Sequence, residues 1–201
     1  MNTAQTISDI QQIQEFVNKP ISEVIKSLQS LLKKDTKIKE INVKIMDPIE
    51  YVNEFENPED TYVVSVLRLT NQTSGTLFLI FTSEDASKIA KLVTNFYETT
   101  LTEELSNLEV SAIKEIANII FGALLTSLSL QINTDLTYSI PDYTKDMIRA
   151  ILDQFCAEII NRKDNALAIT TIFEVPSENI KGKIILLFDE NSFMKAETIH
   201  E

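Results

Sequence analysis

The two halves of the chain repeat one order of elements, and this repeat limits the folds that are open to it. Glu15 and Asn18 recur as Glu115 and Asn118, one hundred positions later. The segment GTLFLIFTSED, which begins at Gly75, matches GKIILLFDENS of the second half in its pattern. Each half reads as helix, strand, helix, hairpin and helix. A half of this size is too small to make a stable core alone, so we expect the halves to fold together.

The repeat predicts an α/β (α+β) fold with pseudo-two-fold duplicated units of helix, strand, helix, hairpin and helix. We expect a single domain over residues 1–201, made of two repeats at about 1–100 and 101–201. Antiparallel-rich sheets flanked by long helices are expected, because each hairpin supplies antiparallel strands and each half opens with long helical periodicity.

Hydrophobic periodicity and turn residues locate the elements of the first half. Pro20 is expected to kink the opening helix or to restart it, because proline lacks the N–H group that a helix interior needs. Ser83 is expected to cap the helix that follows the hairpin. The predicted elements are helix 7–33, strand 39–46, a short helix 48–56, strand 61–70, strand 76–81 and helix 84–97.

The second half opens with a stronger helix signal. Ser106 and Glu109 form the S-x-x-E pattern of a capping box, which marks the start of a helix. Pro141 is expected to start the next long helix. The predicted elements are helix 107–130, a short strand near 132–139, helix 141–161, strands 166–175 and 182–188, and a last helix at about 190–197.

Composition excludes several classes of function. The formal net charge of −12 repels phosphate backbones and anionic membranes, so we expect neither nucleic-acid binding nor membrane insertion. Three glycines are too few for a glycine-rich phosphate loop. One histidine, His200, and one cysteine, Cys156, leave no zinc-type cluster and no Ser-His or Cys-His nucleophile. The start MNTAQTISDI lacks the features of a signal peptide, and we expect a cytoplasmic protein.

A polar stripe follows one side of the otherwise apolar helix 107–130. Its members are Ser111, Glu115, Asn118 and Gly122, and spacings of 4, 3 and 4 keep them within roughly 60° at about 100° per residue. A carboxylate and a carboxamide one turn apart, both facing outward, are typical of two residues that act together in a functional site. The sequence offers no glycine-rich phosphate loop, no zinc-type cluster and no Ser-His or Cys-His nucleophile. If the chain is an enzyme, its catalytic groups are therefore carboxylates and amides, or a partner supplies the reactive groups.

Together with Pro141, the stripe resembles the signature Asp/Ser-x3-Glu-x2-Asn-x22-Pro of the CheC-type family of chemotaxis phosphatases, which includes CheX and the phosphatase part of FliY. Every element is present here, as Ser111, Glu115, Asn118 and Pro141. The duplicated architecture and the two hairpins extend the resemblance over essentially the whole chain, which is most similar to the CheC branch.

The resemblance implies a phosphatase that accelerates hydrolysis of the aspartyl-phosphate of a CheY-like response regulator in chemotaxis signalling. It implies that Asn118 orients the attacking water and that Glu115 docks to the lysine of the receiver. Ser111, Gly122 and Pro141 are expected to support this site. No cofactor or metal is expected on this chain, because the partner receiver is expected to bring its own Mg²⁺.

The first half carries a degraded copy of the signature. Glu15 and Asn18 are kept, whereas Gln11 stands where Asp or Ser is expected and Ile41 stands where proline is expected. Two interpretations stay open: this copy is a second active site, or Asn18 only caps a helix that restarts at Pro20.

Two other functions also stay open. One is a non-catalytic or weakly catalytic regulatory protein that binds the phospho-receiver or the deamidase CheD. The other is a component of the flagellar switch. Release of inorganic phosphate from a phosphorylated receiver, compared between the wild type and Asn118→Ala, separates catalysis from binding.

Overall fold

One six-stranded sheet organises the computed structural model of the chain, which describes residues 3–70, 75–95, 105–161 and 165–189. The strands are β1 Lys37–Met46, β2 Thr61–Arg68, β3 Gly75–Thr82, β4 Asp142–Met147, β5 Ala166–Val175 and β6 Ile180–Asp189. They lie in the order β1-β5-β6-β3-β2-β4, and every neighbouring pair is antiparallel.

The strand order is pseudo-symmetric. Exchanging β1, β2 and β3 with β4, β5 and β6 gives the same order read from the other edge. The first strand of each half pairs with the second strand of the other half, and the two third strands pair at the centre. The hydrogen bonds of the sheet therefore interleave strands from both halves. This architecture confirms the predicted fold class.

Two helical layers cover the sheet. The helices are α1 Thr3–Leu32, α2 Pro48–Tyr51, α3 Ser83–Thr94, α4 Asn107–Gln131 and α5 Ile148–Asn161. The first, third and fourth pack on one face, and α2 and α5 pack on the other. Within the described ranges, no helix is both long enough and apolar enough to cross a membrane.

The central strands are buried on both faces, as β3 illustrates. Leu77, Leu79 and Phe81 belong to the core beneath α1 and α4, whereas Phe78 and Ile80 belong to the core beneath α5. A strand covered on both faces reads as a continuous apolar run, and this explains the strong TLFLIF signal.

Most predicted elements agree with the structure to within a few residues. The short helix predicted over 48–56 divides into α2 and a 3-10 turn at Val52–Glu54. Thr82, rather than Ser83, caps α3, because its Oγ1 accepts a hydrogen bond from the backbone N–H of Asp85 at 3.1 Å. The last helix predicted at about 190–197 lies outside the described residues.

Two predictions for the segment after α4 are wrong. The strand predicted near 132–139 is a turn followed by an isolated bridge between Leu69 and Tyr138. Pro141 does not start a helix, because it precedes β4, and α5 begins at Ile148. Pairing with β2 along the sheet edge decides the conformation of residues 142–147. Local propensity is a weak guide to such edge strands, and a proline just before a strand costs no ladder hydrogen bond.

Of the two outcomes expected at Pro20, a kink or a restart of the helix, the restart is wrong. The helix runs without interruption from Thr3 to Leu32, so Asn18 lies in its interior and is not an N-cap. In an uninterrupted helix, residue 20 would donate its N–H to the carbonyl of Phe16, and proline has no N–H to give. The side-chain Nε2 of Gln131, at the end of α4, donates to that carbonyl at 3.1 Å.

Candidate active site

Glu109 fixes the beginning of the helix that carries the polar stripe. Its Oε2 accepts hydrogen bonds from the backbone N–H of Ser106 at 2.8 Å and from the Ser106 hydroxyl at 2.9 Å. Ser87 of α3 donates to its Oε1 at 2.8 Å. Burial acts to raise the pKa of Glu109, but these hydrogen bonds hold the pKa below its ordinary value. The predicted capping box is confirmed. The separate hydrogen bond from Ser87 ties α3 to α4.

The two sides of α4 differ as the sequence predicts. The inward positions Ile113, Ile116, Ile120 and Leu124 are fully buried. The side chains of Ser111, Glu115 and Asn118 are exposed, and Gly122 is half-buried. Four of the predicted site residues thus share the outward side of one helix.

The structure describes no internal partner for the side chains of Glu115 and Asn118 in residues 3–70, 75–95, 105–161 and 165–189. Among the described residues, neither side chain forms a hydrogen bond or an ion pair. Ser111 differs, because its hydroxyl donates to the backbone carbonyl of Asn107 at 2.8 Å. The carboxylate and the carboxamide are therefore available to an external partner, and Ser111 keeps only acceptor capacity for one.

Gly122 leaves open space on the same side. A Cβ atom built at this position meets no atom within 4 Å. Packing inside the chain therefore does not require glycine here, although glycine costs about 1 kcal/mol relative to alanine in a helix interior. The other described glycines differ, because a Cβ at Gly182 would lie 2.3 Å from the Phe173 ring and one at Gly75 would lie 2.4 Å from the Phe188 ring.

Pro141 is not part of α4 and does not share its outward side. It lies between Tyr138, which bridges to Leu69 just after β2, and the first residue of β4, and it is half-buried. Tyr143, two residues later, packs against the core beneath α4. The structural role expected for Pro141 stays a prediction.

The copy on α1 has a similar exposure. Glu15 and Asn18 are exposed, and neither side chain has a hydrogen bond or ion pair among the described residues. Gln11 is exposed one turn earlier, and Ile41 lies in β1 opposite Thr171. Because α1 and α4 pack against each other, the two Glu-Asn pairs lie on adjacent helices.

Two cavities lie away from both pairs, on the face of the sheet that α2 and α5 cover. One of about 550 Å³ lies between β2, β4 and α5, and one of about 200 Å³ lies between β1, β5, β6 and α2. None of the stripe residues lines either cavity. Cavities of this kind suit small ligands, whereas a protein partner needs an exposed surface such as the outer side of α4.

Each cavity contains a cation above a phenylalanine ring, a feature that the sequence reasoning missed. The Arg68 guanidinium lies 4.5 Å from the centroid of Phe155, and the Lys183 ammonium lies 4.1 Å from that of Phe55. Burial lowers the pKa of Lys183. Phe55 and Phe155 are one hundred positions apart, which is the same offset that relates the two Glu-Asn pairs. This offset is the signal in the sequence that could have identified the two phenylalanines as equivalent positions.

Cys156 is a buried free thiol beneath α5. Burial raises its pKa to about 11, so the thiolate is scarce at neutral pH. Within the described ranges, no group of three or more His, Cys, Asp or Glu side chains is arranged to hold a metal ion.

Comparison with known proteins identifies a family over the middle of the chain. Residues 63–159 match the family described as chemotaxis phosphatase CheX. This range contains every position of the stripe and Pro141, whereas the α1 copy lies outside it. The CheY-P phosphatase CheC of Bacillus subtilis strain 168 is 28% identical over 148 residues, which are 71% of this chain and 70% of that relative.

Solved structures share the fold at lower identity. Thermotoga maritima FliY has a TM-score of 0.71 at 20% identity, and the alignment covers 95% of this chain and 94% of that one. The middle domain of H. pylori FliM has a TM-score of 0.66 at 10% identity, with coverages of 98% and 99%. A CheX from Desulfovibrio desulfuricans has a TM-score of 0.58 at 13% identity, with coverages of 87% and 99%.

Proposed function

We propose that this chain, which belongs to the CheC-type family of chemotaxis phosphatases, accelerates hydrolysis of the aspartyl-phosphate of a CheY-like response regulator. Family membership supports a CheY-P phosphatase function in general. The observation that carries the specific proposal is the pair Glu115 and Asn118, which face outward one turn apart without partners among the described residues.

Asn118 acts on the water in this proposal. The water oxygen attacks phosphorus, the bond from phosphorus to the aspartyl oxygen breaks, and aspartate and inorganic phosphate are the products. An amide oxygen accepts a hydrogen bond from the water while the amide NH₂ donates elsewhere, so Asn118 orients the nucleophile without becoming charged. Positioning and electrostatics dominate phosphoryl transfer, so this contribution is sufficient for an acyl phosphate that is already reactive.

Glu115 holds the complex in register. We propose that its carboxylate pairs with the lysine of the receiver. An exposed ion pair is worth little, but one that is desolvated in a docked interface gains a charge-assisted hydrogen bond and orients strongly. The Mg²⁺ of the reaction belongs to the receiver in this proposal and supplies electrostatic stabilisation of the phosphoryl oxygens.

The other members of the signature support the interface. Gly122 leaves room for the partner's backbone to approach α4, because no atom of this chain occupies the space a side chain would take. Ser111 lies one turn before Glu115 at the edge of the proposed contact. Pro141 shapes the segment that leads into β4 beside the helix.

The α1 copy is proposed as a second, weaker site. Its Glu15 and Asn18 have the exposure and spacing of the α4 pair, and the continuity of α1 removes the interpretation of Asn18 as a cap. Gln11 and Ile41 depart from the signature, so this copy lacks two of its supporting residues.

A binding role is the second candidate. The fold is shared with the middle domain of FliM, so this architecture is not restricted to proteins named as phosphatases. In this alternative, the chain binds phospho-receiver or a CheD-type deamidase with little catalysis. Binding that persists without accelerated phosphate release separates this candidate from the first.

The test measures inorganic phosphate released from a phosphorylated CheY-like receiver in Mg²⁺. Asn118→Ala is expected to lower kcat by on the order of 100-fold, since the nucleophile loses its orientation. Glu115→Ala is expected to raise KM as well, because it removes a docking contact. Asn53→Ala and Glu56→Ala, both exposed on the opposite layer, are the matched controls. A wild-type chain that leaves the receiver's phosphate lifetime unchanged contradicts the proposal for that receiver.

A further inference from the structure

The end of α4 reaches across to the turn of α1 that carries the second Glu-Asn pair. The Nε2 atom of Gln131 donates to the carbonyl of Phe16 at 3.1 Å. Phe16 lies directly after Glu15 and two residues before Asn18. In a regular α-helix the N–H of residue 20 bonds to this carbonyl, and Pro20 has no N–H. The Gln131 side chain thus supplies a donor where the backbone of α1 cannot.

The arrangement occurs on only one side of the pseudo-two-fold. The position in α4 that corresponds to Pro20 is Ile120, whose backbone N–H is present, and the position in α1 that corresponds to Gln131 is Leu31. The proline and the glutamine therefore occur together, each as a departure from its counterpart in the other half. Among the described residues, the donation to Phe16 is the one hydrogen bond of the Gln131 side chain, because its Oε1 is buried without a hydrogen-bond partner there.

We propose that Gln131 is a positioning residue for the α1 copy of the site, an inference that rests on the proposed function of the Glu-Asn pair. By donating to the Phe16 carbonyl, it lets α1 continue through Pro20 as one helix. Glu15 and Asn18 then keep their outward, one-turn spacing. A residue of the second half thereby holds the geometry of the first-half site, whereas the α4 site does not depend on it.

The first experiment does not involve activity. Hydrogen exchange at the amides of Ile21 and Ser22 reports whether α1 stays intact next to Pro20. Gln131→Leu, which installs the residue found at the corresponding α1 position, is expected to speed this exchange by on the order of tenfold. In a Pro20→Ala background the backbone donor is restored, so Gln131→Leu is expected to change the exchange less than twofold. An equal effect in both backgrounds, or none in either, overturns the inference.

A second variant distinguishes loss of the hydrogen-bond donor from a general folding defect. Gln131→Glu keeps the size of the side chain and removes its donor, so it is expected to speed the same exchange when Pro20 is present. Recovery of protection in Pro20→Ala combined with Gln131→Glu supports the proposal. Exchange that stays fast in that combination contradicts it, because the missing donor is then not the cause.

The functional experiment measures phosphate release in two backgrounds. Asn118→Ala leaves the α1 copy, and Asn18→Ala leaves the α4 copy. Gln131→Leu is expected to reduce release several-fold in the first background and to change it less than twofold in the second. Equal losses in both backgrounds overturn the inference. No release from Asn118→Ala alone also overturns it but leaves the α4 proposal standing, whereas no release from the wild type refutes the proposed function itself.

Discussion

Replacing Gly122 by alanine is expected to move stability and activity in opposite directions. The added Cβ meets no atom of the chain within 4 Å, so the change creates no clash. Alanine in a helix interior is more stable than glycine by about 0.5–1 kcal/mol. For a chain of this size, that gain corresponds to a rise in Tm of about 1–4 °C.

The same methyl group is expected to impair phosphate release. In the proposed complex the space beside Gly122 is filled by the receiver, and an extra methyl in a packed contact typically costs about 1–3 kcal/mol. At about 1.4 kcal/mol per factor of ten, kcat/KM falls by about 5-fold to about 140-fold.

Thermal unfolding followed by circular dichroism measures the first effect, and a phosphate-release assay on the phosphorylated receiver measures the second. Thr126→Ala, one turn further along the exposed side of α4, serves as the matched control for a small change on this helix. A more stable variant with wild-type release refutes the role of Gly122 in partner approach. A less stable variant refutes the geometric reasoning.

Two further predictions concern stability. Glu109→Gln is expected to lower the free energy of unfolding by about 1–2 kcal/mol at neutral pH, because the carboxylate accepts three hydrogen bonds. Its folded pKa lies below the ordinary 4.5, so its contribution is present above that pH and is lost as pH falls through the folded pKa. Urea unfolding at pH 7 and pH 3.5 tests this, since the difference from wild type must shrink at the lower pH. Gly182→Ala is expected to destabilise the fold by about 1–3 kcal/mol, because its Cβ would lie 2.3 Å from the Phe173 ring. Chemical unfolding measures this loss, and an unchanged midpoint contradicts the packing argument.

The sequence predicted the parts of the fold that depend on local pattern. Continuous apolar strands, the capping box at Ser106 and Glu109, and the buried face of α4 follow from alternation, side-chain caps and helical periodicity. The one-hundred-residue offset predicted the pseudo-two-fold arrangement that the sheet order displays. The division into repeats at about residue 100 stays a prediction.

The sequence could not predict the features that depend on distant residues. Residues 142–147 form a strand because they pair with β2, although Pro141 locally favours a helix start. Likewise, α1 is continuous through Pro20, and the donor to the Phe16 carbonyl comes from Gln131 of α4, 115 positions from Phe16. Neither partner can be identified from local propensity.

Some features of the candidate site could likewise be predicted from local sequence, whereas others could not. Helical spacing alone predicted that Ser111, Glu115 and Asn118 share the outward side of α4, and this is confirmed. The open space at Gly122 and the location of Pro141 outside the helix required the structure. The roles of these residues stay predictions until the variants are measured.

The most direct test of the account compares phosphate release by the wild type, Asn118→Ala and the combination of Asn18→Ala with Asn118→Ala. We expect Asn118→Ala to lose most of the acceleration, on the order of 100-fold, and the combined variant to lose the remainder. Both variants should be at least as stable as the wild type, because the two side chains are exposed and unpaired within the described residues and alanine is a better helix former than asparagine. Wild-type release from a folded Asn118→Ala variant would contradict the central claim.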